Sequence, residues 1–213
     1  MIEFSIKDYV SLLTLNFVFK ENSFCLADYK GNVPLFPSTD ETYINPLLRK
    51  YLIREKKTFE LSDNTYIPDI NNSLFEIVKT PKEHNFSDKE IRDLQNELSY
   101  FECLNYMKIC LSDFRKNPSV SSDTAHLIKE SLNVLSIQQV VHIILAAKNS
   151  SMHLLKHNYF DPVIACSQCI KLFKGNLIKA VKGEMIAKEE RSIPVGFVHS
   201  IYSYIFFLCF IAI

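Results

Sequence analysis

The sequence predicts an α+β fold with a small mixed α/β N-terminal module, a long connecting helix and a mostly helical C-terminal part. Three observations support this prediction. Short apolar runs separated by turn residues fill residues 4–80, one continuous helical periodicity covers 88–115, and four shorter helical patterns lie between 122 and 174. With 213 residues, the chain is long enough for one domain of ordinary size or two small ones.

The N-terminal module, residues 1–86, mixes strand-like and helical patterns. Residues 43–53 carry a helical apolar face, and short apolar runs occur on both sides of it. These runs are residues 17–19, 24–27, 32–36, 58–61, 65–67 and 74–78. A helix between pairs of short strands predicts a small α+β module.

The connecting segment, residues 87–116, has the clearest pattern in the chain. Ser87 and Glu90 form a capping box, in which each side chain accepts a hydrogen bond from the other residue's amide. Apolar residues then follow at spacings of three and four, beginning with Ile91, Leu94 and Leu98. The pattern predicts a helix over 88–115 that connects two domains or pairs with its copy in a homodimer.

The C-terminal part, residues 121–191, follows a short linker at 117–122. Helices are predicted at 122–134, 136–148, 151–158 and 162–174. Ser136 with Gln139 forms a second capping box, Asp161-Pro162 begins the last of these helices, and Gly175 is placed to end it. Residues 177–191 then predict a hairpin that turns at 182–184, the alternative being that the last helix continues.

The apolar C-terminal tail, residues 193–213, contains no Asp, Glu, Lys or Arg. At about 1.5 Å per residue, a helix of this length would just cross a hydrocarbon core of roughly 30 Å. One interpretation is a membrane anchor flanked by Lys188 and Arg191. The other is a strand or helix that is buried in a core or a dimer interface.

Charge is distributed unevenly along the chain. Residues 1–115 carry 14 basic and 18 acidic side chains, whereas residues 116–182 carry 8 basic and 3 acidic ones. The second region is therefore the candidate for an anionic partner such as DNA, RNA or a lipid headgroup, the alternative being ordinary surface charge. The N-terminus lacks the apolar stretch of a secretory signal, so we expect a cytoplasmic protein with six reduced cysteines.

Four potential zinc ligands, His153, His157, Cys166 and Cys169, lie close together in sequence. Their order is reversed from that of a zinc finger, and the sequence favours buried structural cysteines over a metal or redox site. Phosphate-binding loops, nucleophile elbows and zinc-protease motifs are missing. Other candidate acid or base residues occur singly, namely Asp63, Asp69, Glu76, His126 and His142. The sequence thus predicts neither an enzyme nor a cofactor.

Residues 24–33, with the sequence FCLADYKGNV, resemble the opening of a PAS domain. In that family, an apolar strand leads through an Asp and a Gly turn into the next strand. The resemblance implies a sensor module of about 100 residues that passes its signal through a following helix.

The order of elements in the C-terminal part is similar to that of a winged helix-turn-helix. The resemblance implies that residues 162–174 are a recognition helix in the major groove and that the hairpin is the wing. Gln168 and Lys171 would then donate to base edges or phosphates. Lys174, Lys179, Lys182, Lys188 and Arg191 would contact phosphates. The alternative is an all-helical packing unit with a solvated rim of lysines.

These features together favour a DNA-binding transcriptional regulator in which the N-terminal module senses a small molecule or a partner. Residues 88–115 would form the homodimer, and residues 121–191 would bind DNA. The alternative is a membrane-anchored helical scaffold without catalytic activity, attached through residues 193–213.

Overall fold

A computed structural model describes residues 4–56, 69–79, 85–157, 161–185, 194 and 196–211. Within these ranges the chain forms seven α-helices and one three-stranded antiparallel sheet, so it is mixed and mostly helical, in agreement with the sequence. The chain divides into two compact units: unit 1 contains residues 1–95 and 199–213, and unit 2 contains residues 96–198. Unit 2 is therefore inserted into the sequence of unit 1.

Unit 1 combines three helices with the small sheet. The helices are α1 (Ile6–Phe19), α2 (Asp40–Arg49) and α7 (Ile201–Phe210), and the strands are β1 (Ser23–Phe24), β2 (Ile53–Glu55) and β3 (Phe75–Ile77). The central strand β3 pairs with both others, and Phe24 lies opposite Phe75. The two rings, 5.7 Å apart between centroids, are buried and join the sheet to the core.

A partly buried ion pair connects α1 with the end of α2. Asp8 forms a capping box with Ser5 at the start of α1. Its Oδ2 atom also lies 2.6 Å from the Nζ atom of Lys50, although the Asp8 side chain is only 2% exposed. A carboxylate at this depth requires such partners, because burial without them is costly.

The C-terminal tail contributes a helix to the core of unit 1. The amides of Ile201 and Tyr202 each donate to a carbonyl of an earlier loop, that of Pro34 and that of Leu35, both at 3.0 Å. The ring of Tyr202 is fully buried, with its centroid 4.8 Å from that of Tyr43. Residues 201–210 therefore form a helix that buries one side in the core of unit 1 and leaves the other side exposed. Among all the residues described, no helix has both the length and the apolar character that crossing a membrane requires.

Unit 2 is a helical bundle. It contains most of α3 (Asp88–Ser112), followed by α4 (Ser122–Ser131), α5 (Ile137–Lys156) and α6 (Pro162–Val181). Helix α6 packs most extensively against α5 and also contacts α4. Residues with no or almost no exposure, among them Met107, Ile144 and Phe173, fill the space between the helices.

The predicted starts of α3, α5 and α6 are confirmed. The Ser87 amide donates to Glu90 Oε2 at 2.9 Å, and the Glu90 amide donates to Ser87 Oγ at 3.3 Å. Ser136 and Gln139 make the same pair of bonds at the start of α5. Asp161 Oδ1 accepts from the Ile164 amide at 2.9 Å at the start of α6.

The predicted boundaries inside unit 2 are wrong in two places. Residues 136–148 and 151–158 do not form two helices, because α5 continues through Asn149 and Ser150. Gly175 does not end α6, which continues to Val181 and so replaces the first strand of the predicted hairpin. Glycine in a helix costs about 1 kcal/mol, and burial of Leu177 and Ala180 beyond it exceeds that cost. Residues 186–191 of the hairpin lie outside the described ranges.

Several elements predicted for the N-terminal module differ from those in the structure. Residues 17–19 form the last turn of α1, and 32–36 contain no strand. Residues 24–27 contribute only Phe24 to a strand, and the predicted helix at 43–53 ends at Arg49, so that Ile53 begins β2. The run at 74–78 does contain β3, whereas 58–61 and 65–67 lie outside the described residues. Strands of two or three residues give too short an alternation to distinguish from a helix end.

Candidate nucleic-acid interface

Helix α6 presents a basic face to solvent. Lys171, Lys179 and Lys182 are exposed, whereas Gln168 and Lys174 are partly buried. The other two predicted DNA contacts, Lys188 and Arg191, lie outside the described residues. The structure thus places five of the seven predicted residues on one helix and its C-cap, so Lys179 and Lys182 belong to a helix end and not to the predicted wing.

Burial of the opposite side of α6 keeps the lysine side of the helix turned toward solvent. Cys169, Phe173 and Leu177 are fully buried, and they recur at intervals of four residues along one side of the helix. Because that side packs in the core of unit 2, the lysines cannot rotate inward. From Lys171 to Lys182 the helix rises about 16 Å, which corresponds to roughly five base pairs of duplex.

Helix α6, from Pro162 to Val181, contains lysines but no acidic residue. Within the described ranges, Lys171, Lys179 and Lys182 form no ion pair. Lys179 and Lys182 also lie at the negative end of the helix dipole, where cations stabilise the helix itself. The same charges therefore have a structural role and are available to a phosphate.

The centre of the basic face is Gly175. A Cβ atom built there would meet no heavy atom within 4 Å, and its φ is not in the left-handed region. Neither crowding nor backbone geometry therefore requires glycine at this exposed helical position. Ile178, one turn further on, is 42% exposed between the lysines.

Beneath α6, the predicted C-x-x-C cysteines are buried thiols. Burial raises the pKa of Cys169 to about 12, and it also raises the pKa of Cys110 and Cys166. The ammonium of Lys148, which pairs with Asp113 at 2.5 Å, opposes the shift at Cys110 without overcoming it. Neutral thiols are poor nucleophiles and poor metal ligands, so the arrangement suits packing. All six cysteines are free.

The two histidines among the predicted zinc ligands lie next to each other at the C-terminal end of α5. The rings of His153 and His157 are 4.4 Å apart between centroids, in an i, i+4 pair. Across the described part of the chain, no three His, Cys, Asp or Glu side chains converge in a way that would hold a metal ion.

The remaining acidic candidates have local structural roles. Asp69 accepts hydrogen bonds from the side-chain amide of Asn72 and from the backbone amides of Asn71 and Asn72 in a turn, and these bonds lower the pKa of its carboxyl group. Glu76 on β3 pairs with Arg54 on β2. Asp63 lies outside the described ranges.

Sequence reasoning missed a pocket in unit 1. It has a volume of about 350 Å³ and is formed by residues between Leu26 and Asp40, which overlap the PAS-like segment. The Tyr29 hydroxyl donates to the Val33 carbonyl at 2.6 Å, and the ring of Tyr29 folds over Gly31. A Cβ at Gly31 would clash with that ring. No sequence pattern indicated this pocket, because it forms only when the whole segment from Leu26 to Asp40 folds together.

Comparison with known proteins gives no match to a protein-family model, to a curated protein or to a solved structure.

Proposed function

We propose that this chain is a DNA-binding regulator in which the lysine face of α6 binds the phosphate backbone and unit 1 is the sensor. The observation that carries the proposal is the acid-free, outward face of α6 with Lys171, Lys179 and Lys182 exposed and unpaired within the described ranges. Phosphate contacts from such lysines supply affinity and position. The proposal assigns no catalytic step to the chain.

In this proposal, residues near the middle of α6 recognise the base sequence of the DNA. Gln168 and Lys171 are one helical turn apart, and Lys171 is the more exposed of the two. Amide and ammonium groups are donors that suit acceptors on base edges. The exposed Val163 and Ile164 lie at the start of the same helix, where they suit contact with thymine methyl groups.

The decisive experiment is the salt dependence of binding to a fluorescent 24-base-pair duplex, measured by anisotropy. The test variant changes Lys171, Lys179 and Lys182 to Gln. The control variant changes Lys20, Lys56 and Lys89 to Gln, which removes the same charge from exposed positions of unit 1.

The wild-type affinity should fall steeply as salt rises, because bound lysines release counterions from the duplex. In the test variant, the slope of log K against log[salt] should be less steep by about 3, because three phosphate contacts are lost. The control should keep the wild-type slope. A test variant that binds like the control, or an affinity that does not respond to salt, would refute the proposal.

Dimerisation through α3 remains part of the proposal in a modified form. Leu94, Leu98, Met107 and Leu111 of the predicted apolar stripe are buried within the chain. A dimer over residues 88–115 must therefore use other residues of α3, such as Ile109, which is exposed. Light scattering on the wild type and on Ile109→Lys tests this: a dimer that becomes a monomer supports it, and an unchanged mass contradicts it.

A membrane-associated interaction protein is the second candidate function. Helix α7 has no charged residue, and its outer face exposes Tyr204, Leu208 and Ile211 by 53%, 50% and 42%. If this face rests on a bilayer, the full chain should float with liposomes and Leu208→Ser with Ile211→Ser should abolish flotation. If the wild type stays at the bottom of the gradient, the candidate is wrong.

A further inference from the structure

The pocket in unit 1 combines apolar walls with one carboxyl group. Val33 and Leu35 contribute apolar surface, while Tyr29, Asn32, Ser38 and Asp40 contribute polar groups. Among the residues that the structure describes, no lysine or arginine lines it. Its volume of about 350 Å³ falls within the range of small-molecule sites, which begins at roughly 300 Å³.

Asp40 is the unusual member of this lining. It is the first residue of α2 and is partly buried, yet within the described residues its carboxyl group forms no hydrogen bond or ion pair. Burial raises the pKa of the Asp40 carboxyl group, and the neighbouring Glu41 raises it further. By contrast, the deeper Asp8 carboxylate in the same unit is paired with Lys50.

We infer that the pocket between Leu26 and Asp40 binds a small organic ammonium compound, with its cation on the Asp40 carboxylate and its apolar part against Val33 and Leu35. A charge-assisted hydrogen bond from an ammonium group supplies the partner that Asp40 lacks among the described residues. An anionic ligand would meet an acidic group at the pocket and no cation in its lining.

The pocket shares residues with the loop that holds the start of α7. Pro34 and Leu35 line the pocket, and their carbonyl oxygens accept hydrogen bonds from the first amides of α7. A ligand that orders this loop therefore stabilises the hydrogen bonds that hold the start of α7 in unit 1. In this respect the inference rests on the proposed sensor role of unit 1, and it names the ligand class for that role.

The experiment uses the full chain and three probes of similar shape: 2-phenylethylammonium, neutral 2-phenylethanol and anionic phenylacetate. Binding is measured by calorimetry without DNA, and the site is located from amide chemical shifts. Asp40→Asn tests the carboxyl group. Glu41→Gln is the matched control, since it removes an adjacent carboxyl group that does not line the pocket.

The ammonium probe should bind at least about tenfold more tightly than the alcohol, and phenylacetate should bind most weakly. Asp40→Asn should remove the advantage of the ammonium probe, and Glu41→Gln should retain it. The shifts in the wild type should fall within residues 26–40, so that the site is tested even if the Asn variant does not fold. Equal binding of the three probes, no binding, or shifts elsewhere would overturn the inference.

The two proposals fail separately. A chain that binds DNA through α6 but shows no preference for the ammonium probe overturns only the ligand assignment. A chain that binds the ammonium probe at Asp40 but not DNA overturns only the nucleic-acid proposal.

Discussion

The backbone amide of Tyr202 donates a hydrogen bond to the carbonyl oxygen of Leu35, with 3.0 Å between nitrogen and oxygen. The first amides of a helix have no partner within the helix, and here a loop from the other end of the sequence supplies one. The same loop lines the pocket of unit 1. Unit 1 therefore depends on both ends of the chain for its fold.

Replacing Phe206 should show that α7 is part of the core. Its side chain is fully buried, so Phe206→Ala should lower the free energy of unfolding by about 3–5 kcal/mol. Tyr204→Ala, on the exposed face of the same helix, should change it by no more than about 0.5 kcal/mol. Urea unfolding of the full chain measures both values, and equal losses for the two variants would contradict a core role for α7.

Gly175 and Gly183 should respond in opposite ways to alanine. Gly175 is helical with open space around its Cβ position, so Gly175→Ala should stabilise the protein by about 0.5–1 kcal/mol. Gly183 has a φ of +71°, so Gly183→Ala should destabilise it by about 1 kcal/mol. Thermal melting of the two variants is the check. A loss of stability in Gly175→Ala would show that α6 is not continuous through this position.

The cysteines should divide into two classes under thiol labelling. Cys209 is exposed and Cys25 is partly buried, whereas Cys103, Cys110, Cys166 and Cys169 are buried. Burial raises the pKa of all four buried thiols, which suppresses the reactive thiolate. It also raises the pKa of Cys209, so exposure to the reagent separates the two classes.

An aromatic disulfide reagent should therefore label Cys209 first, then Cys25, and the other four only when the chain unfolds. Cys209→Ser should remove the fast phase, and Cys25→Ser should remove the slower one. Rapid labelling of Cys166 or Cys169 in the folded chain would refute the assignment of the C-x-x-C to packing.

Local chemistry explains what the sequence alone determined. The start of α3 followed from Ser87 and Glu90, and the start of α6 from Asp161 and Pro162, because capping involves residues three or four positions apart. The lysines of α6 were also identifiable, since their spacing and the lack of acids are visible in the residues themselves. Such interactions do not require knowledge of distant contacts.

Only the tertiary structure decided the features that depend on distant residues. Burial of Leu177 and Ala180 carries α6 past Gly175, although the glycine alone indicated a helix end. The place of α7 depends on hydrogen bonds from its first amides to the carbonyl oxygens of Pro34 and Leu35, which lie more than 160 residues earlier in the chain. A charge-free tail satisfies a membrane and a protein core equally well, because both exclude water. The tertiary structure shows that the helix at 201–210 buries one side in the core of unit 1 and donates to two loop carbonyls.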